Sequence, residues 1–174
     1  MPTVVNTKNP FVSVILSLLQ HYNHKKYWKR REACTSFNRN RGGILLIVNC
    51  LRLLYVKWCD AFNNASTGAD LGHGAKFATP PRLPHGLNGI IINPYSEIGS
   101  NCIIYHQVTL SDDGKFYKNA PVIGDNVTIC PGAKLIGKIR IGNNVLIGAN
   151  AVVVEDVPDN AIVLAPKARI INHD

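Results

Sequence analysis

From residue 123 onward an aliphatic side chain returns at every sixth position: Ile123, Ile129, Leu135, Ile141, Ile147 and Val153. Two positions before most of them stands a small or β-branched residue (Val127, Ala133, Ile139, Val145, Ala151), and glycine follows several of them (Gly124, Gly142, Gly148). The register extends upstream through Leu71, Phe77 and Leu83, and again through Ile92, Ile98, Ile104 and Leu110. A period of six matches neither the turn of an α-helix nor the simple alternation of a sheet with one wet face. It predicts a parallel β-helix, in which each hexad is a short strand plus a turn and the aliphatic side chain points into a narrow triangular interior. Gly124-Asp125, Gly142-Asn143 and Pro131-Gly132 supply the turn chemistry between faces. With three hexads per coil, residues 69–165 give about five coils. The competing β-sandwich would need this run of hits in register to be an accident.

Each coil of such a stack touches only its neighbours, so interruptions of the period mark places where the chain leaves the prism. The spacing from Leu83 to Ile92 is nine, and from Leu110 to Ile123 it is thirteen, one more than two hexads. Both are insertions, and loops displayed on a rigid scaffold are where sites are commonly built.

Residues 1–64 lack the period. They show an apolar run at 11–20, a basic stretch at 24–32, a break at Arg39-Asn40-Arg41-Gly42-Gly43, and a second apolar run at 44–60. The last places Leu46, Asn49, Cys50, Leu53, Leu54 and Lys57 at helical spacing, with Ile47, Leu51, Leu54 and Trp58 on an adjoining face. Apolar around most of its circumference, it is expected to be a helix buried against neighbours. The chain therefore divides into a helical segment, 1–64, and a mainly β segment, 65–174.

Composition narrows the function classes. At 174 residues, 46% hydrophobic and 17% charged, the chain suits one folded domain and is too apolar to be disordered. Its formal net charge of +8 is unevenly placed: residues 1–60 hold ten basic and two acidic side chains, and residues 61–174 hold nine of each. Lys25, Lys26, Lys29, Arg30 and Arg31 have no accompanying nucleic-acid recognition motif, so no nucleic-acid partner is expected. Five cysteines without a C-x-x-C pair or metal-like spacing read as reduced thiols and no metal. No signal peptide is evident, and the most apolar stretch is interrupted by Asn49, Arg52 and Lys57, too short and too charged to span a bilayer. The expected location is cytoplasmic, with the basic leader a basis for peripheral association at the inner membrane face.

The ordered motifs Pro84-His85-Gly86-Leu87-Asn88-Gly89, Ile98-Gly99, His106-Gln107-Val108-Thr109-Leu110, Gly114-Lys115, Ile123-Gly124-Asp125-Asn126-Val127, Pro131-Gly132-Ala133-Lys134, Ile147-Gly148-Ala149-Asn150, Val157-Pro158 and Lys167-Ala168-Arg169 resemble the serine acetyltransferase-type hexapeptide acyltransferases over about 105 residues. The resemblance implies a left-handed parallel β-helix that uses acetyl-CoA as co-substrate, and a homotrimer with the CoA groove between adjacent prisms. The compact helical leader is similar to that of the short acyltransferases that decorate bacterial exopolysaccharides.

Moving an acetyl group from a thioester to an alcohol requires a base near neutrality, commonly histidine. The resemblance places that base at His85, in the first insertion, and a carboxylate that orients it about one coil upstream, at Asp70. With no serine or cysteine in a nucleophile-elbow context, direct attack is favoured over an acyl-enzyme. His106 has two open roles, beside His85 in the acceptor cleft or against a trimer neighbour. His73, after Gly72, reads as a solvated turn residue, and His21, His24 and His173 have no constellation around them. For acetyl-CoA the resemblance suggests Gly114, Lys115, Ala133, Lys134, Ala149, Lys167 and Arg169, although Ser111-Asp112 stand where the family often has two glycines.

Two departures bear on the acceptor. Pro84 replaces an Asp that grips the amino acid in the serine enzymes, and Asn119-Ala120 replaces an Arg-His pair before Pro121. A zwitterion needs charged partners, so their loss favours a carbohydrate hydroxyl, in cell-surface polysaccharide or its precursor. The alternative is serine O-acetylation for cysteine biosynthesis, and a third reading is a non-catalytic scaffold binding partners through its leader.

Overall fold

The structure, a computed structural model, describes residues 22–38 and 42–171. Two helices, α1 (His24–Thr35) and α2 (Ile44–Phe62), precede a left-handed parallel β-helix whose strands are only two or three residues long. Its three faces are four-stranded parallel sheets. Every strand of these three sheets pairs one full coil away, so the six-residue period becomes three columns of stacked side chains. Ile92, Leu110, Leu135 and Val153 form one column, Phe77, Ile98, Ile123 and Ile141 the second, and Ile104, Ile129, Ile147 and Val163 the third. Most are almost fully buried, and Val127, Ala133, Val145 and Ala151 fill the space between them.

The corners are built by residues in the left-handed backbone region, which asparagine tolerates better than other non-glycine residues. Asn101, Asn126, Asn144 and Asn160 all take φ between 56° and 61°. Their amides form a ladder up one corner, Asn101 to Asn126 at 3.4 Å, Asn126 to Asn144 at 3.1 Å and Asn144 to Asn160 at 3.0 Å. A parallel row braces it: the backbone N–H groups of Ser100, Asp125 and Asn143 donate to the side chains of Asp125, Asn143 and Asp159 at 2.6–2.8 Å.

The first expected hexad is different. Leu71 and Gly72 turn an antiparallel hairpin between β1 (Ala69–Asp70) and β2 (His73–Gly74), and the inward column starts at Phe77. Below it the helices close the end of the prism. Tyr27, Trp28, Val56 and Cys59 pack with Ala69 and Leu87, and share Phe77 and Leu83 with the prism. Arg31, from the basic stretch 24–32, is only 3% exposed. Its guanidinium donates to the Thr67 and Ala75 carbonyls, both at 2.8 Å, and lies over the Phe77 ring. Asp60, also buried, accepts from the Tyr27 hydroxyl at 2.6 Å, and burial raises its carboxyl above the ordinary carboxylate range.

Helix α2 departs from the expectation of all-round burial. It buries Asn49, Val56, Cys59 and Asp60, while Ile44, Ile47, Leu51 and Leu54 face outward. No helix among the described residues is long and apolar enough to cross a membrane. The apolar run at residues 11–20 and His21 and His173 lie outside the described residues.

Candidate active site

His85 sits in the first insertion, between the bridge that pairs Arg82 with Ile103 and strand β4 (Ile91–Ile92). The loop is pinned on two sides. Leu87 is fully buried in the helical cluster, Gly89 N–H donates to the Asn63 carbonyl at 2.9 Å, and Gln107 N–H donates to the Asn88 carbonyl at 2.9 Å. Gly89 has φ +64°, and a Cβ there would come within 3.0 Å of the Gln107 side chain, so the turn requires glycine. His85 itself remains exposed.

One coil further, His106 occupies the turn between β6 (Ile103–Ile104) and β7 (Thr109–Ser111). His85 Nδ1 and His106 Nδ1 are 2.6 Å apart, with ring centroids at 4.7 Å. Tyr105 meets the His85 ring edge-on at 5.8 Å. Between two imidazole nitrogens one must donate and the other accept. With Nδ1–H of His85 as donor, its Nε2 keeps a free lone pair, and His106 carries its own proton on Nε2.

Asp70 has another partner: its Oδ1 accepts from the Leu71 N–H at 2.7 Å, and no hydrogen bond joins it to His85. The hairpin supplies the reason, because residues 69–74 do not form a regular hexad and the register through them does not hold. His73 is half-buried rather than solvated, with its ring 4.5 Å from Tyr95, and borders a cavity of about 390 Å³ beside Arg31.

The second insertion braces itself. Asp113 accepts from the Asn119 side chain at 2.9 Å and from the N–H groups of Lys115 and Phe116, and these bonds hold its carboxyl below the usual range. Asn119 is thereby turned into its own loop, and Ala120 is buried at its end. Gly114 and Lys115 project at the tip of the loop, exposed.

A groove of about 470 Å³ starts at Asn88 and Gly89, passes Gln107 and Thr109, and ends at Lys134 and Asn150. It brings Lys134 to the loop of His85. Ala133 points into the core and offers no side chain to the groove, Ala149 is exposed at a corner, and Lys167 and Arg169 are exposed beyond the last strand, β14 (Ile162–Val163). Gln107, Thr109 and Asn150 were not singled out from sequence. The signal for Thr109 was present: an outward residue immediately precedes each inward aliphatic, as Thr109 does Leu110 and Lys134 does Leu135. Among the described residues no cluster of His, Cys, Asp or Glu could hold a metal ion.

Residues 120–155 match a family model described as bacterial transferase hexapeptide (six repeats). Over 109 residues the chain is 41% identical to a serine acetyltransferase of Helicobacter pylori, a match covering 62% of this chain and 63% of that protein. It is 42% identical over 109 residues to a serine acetyltransferase of Staphylococcus aureus, covering 62% of this chain and 51% of that one. The chain thus spans less than two-thirds of the length of either curated relative. A solved structure of serine acetyltransferase in complex with CoA superposes with a TM-score of 0.63 at 26% identity, covering 86% of this chain and 58% of that one. The chain is thus similar to hexapeptide-repeat transferases and to serine acetyltransferases.

Proposed function

We propose that the protein is an acetyl-CoA-dependent O-acetyltransferase working by direct attack, with His85 as general base. The observation that carries this reading is the His85–His106 pair, whose two loops also supply Asn88, Gly89 and Gln107 to the lining of the polar groove. His85 Nε2 takes the proton of the acceptor hydroxyl as its oxygen forms a bond to the thioester carbonyl carbon. The imidazolium then returns that proton to the sulfur as the C–S bond breaks, so the base is regenerated and the thiol leaves neutral. His106 accepts from Nδ1–H of His85 throughout, holding the ring and its tautomer and favouring the cationic form while it lasts. In this reading His106 takes the orienting role first assigned to Asp70, and Asp70 remains a secondary candidate through a shift of the β1–β2 hairpin.

The groove fits a long ligand with amide groups, because Gln107, Thr109 and Asn150 offer donors and acceptors and Lys134 a cation. Lys115, Lys167 and Arg169 are exposed cations for its phosphates, and Gly114 and Ala149 leave space beside it. A homotrimer, with a second prism completing the groove, is supported by the largely apolar outward row of one face, Ile103, Thr128, Leu146 and Ile162, the last 65% exposed.

For the acceptor, the relatives' names favour serine, the second choice from sequence. A carbohydrate hydroxyl is the other reading, and a specific observation favours it. Pro84 has no charge to offer, Asn119 is engaged with Asp113, and Ala120 is buried, so these positions provide no charged grip on a zwitterion.

A thiol-release assay with acetyl-CoA, run with serine and with a panel of sugar acceptors, tests both levels. Turnover of serine alone selects the first acceptor, and turnover of sugars alone the second. His85→Ala should lower kcat by about 10²–10⁴-fold; unchanged turnover with every acceptor would remove the mechanism. His106→Ala should lower kcat with little change in KM for acetyl-CoA, and His106→Gln, which keeps an acceptor for Nδ1–H, should recover part of it.

A further inference from the structure

The outward side of α2 inverts the ordinary distribution of polarity. Ile44, Ile47, Leu51 and Leu54 follow one another along it, each 61–80% exposed, while the opposite side buries Asn49 and Asp60. Next to this stripe Lys26, Lys29 and Arg30 of α1 join Arg52 of α2 around a groove of about 540 Å³ that also touches Val48 and Leu51. None of these four cations is in a salt bridge among the described residues, where Lys76 with Glu97 on the prism is the pair observed. The surface therefore presents hydrocarbon and unneutralised positive charge side by side.

We infer that this face docks onto a bilayer rich in anionic phospholipid, with the stripe seated at the headgroup–acyl boundary and the cations against phosphate groups. Other occupants satisfy only half of the surface. Residues 1–21 contain apolar side chains but no Asp or Glu, and a second copy of the same face would set cations against cations. Either covers the stripe and leaves the charges unpaired, whereas an anionic lipid supplies both chemistries. Helix α2 lies in the plane of the interface in this arrangement, since Arg52 and Lys57 interrupt it and no described helix is apolar enough to span. The inference stands independently of acetyl transfer.

The test is cosedimentation of the full chain with vesicles of phosphatidylcholine alone and of phosphatidylcholine mixed with phosphatidylglycerol. Binding should require the anionic lipid and weaken with salt. Leu51→Glu with Leu54→Glu should reduce the vesicle partition coefficient at least tenfold, and Lys26→Gln and Lys29→Gln about fivefold each. The charge variants keep the test decisive if the glutamate pair fails to fold by thermal melt. Cys50, exposed on α2 one turn from Leu54, reports coverage by mass-mapped labelling with a water-soluble maleimide. It should react in vesicle-free solution and be protected on anionic vesicles. Equal binding to neutral and anionic vesicles, or retention of binding by the glutamate pair and the charge variants, would overturn the proposal. So would a Cys50 already protected without vesicles, which would assign the stripe to residues 1–21 or to a second copy.

Discussion

The prism hides apolar side chains by one repeated rule, whereas the helical segment hides polar ones among its apolar ones and leaves an apolar stripe outside. Inside the prism the core is aliphatic apart from Cys102 and Phe77, with Leu110, Ile129, Leu135 and Ile147 fully buried. The helical segment instead seals Arg31, Asn49 and Asp60 inside and shows Ile44, Ile47, Leu51 and Leu54 to the outside. A repeating coil buries its apolar residues against copies of itself, so one rule serves every coil. A pair of helices on the end of the prism must instead satisfy the last open coil, and Arg31 does so by donating to the carbonyls of Thr67 and Ala75. The surface left outward is then free to serve something outside the chain.

The sharpest way to break this comparison is to truncate the same residue type in both regions. Leu135→Ala should destabilise the fold by ~2–5 kcal/mol, whereas Leu51→Ala should stay within ~0.5 kcal/mol, both by urea denaturation. A large loss from Leu51→Ala would show that the stripe is covered within the folded chain. Next in size is Leu87→Ala, which joins the two regions. It should cost ~2–4 kcal/mol and, because it frees the loop that carries His85, lower kcat well beyond the effect of Leu135→Ala measured at equal fraction folded. At the corners, Asn144→Ala removes a rung of the amide ladder and places alanine at φ 57°. A loss of ~1–2 kcal/mol is expected, with Asn144→Gly milder.

The smallest effect concerns pH. Burial raises the Asp60 carboxyl in the folded state. Such a group contributes stability fully present below its unfolded pKa and lost as pH rises through its folded pKa. Asp60→Asn, which mimics the protonated acid, should remove that downward slope, so the Tm difference between variant and wild type should move in the variant's favour with rising pH. Parallel Tm curves across the acid-to-neutral range would show that Asp60 does not titrate there.

Much of the prism was legible because its period is a local property: the residue six positions on meets the same column whatever else the chain does. Leu71 broke the rule, since a hairpin needs only Gly72 at its turn and an aliphatic residue beside it does not reveal the difference. The asparagine corners were visible as Gly-Asp-Asn and Gly-Asn-Asn steps, but their ladder became apparent only when successive coils were superposed. His85 was legible as a candidate base from its insertion and its motif. Its hydrogen-bonded partner was not, because His106 lies one coil away and two roles fitted it equally well until the rings were placed.

By itself the sequence determined the repeat, the two insertions, the neutrality of the prism and the confinement of all net charge to residues 1–60. Each of these follows from spacing or counting along the chain. Only the tertiary structure decided which cations are surface and which, like Arg31, are internal fasteners. It also decided which side of α2 faces outward and which nitrogen meets His85. Those outcomes depend on distances between segments far apart in sequence, set by how a nonrepetitive helical cap fits one particular end of a repetitive prism.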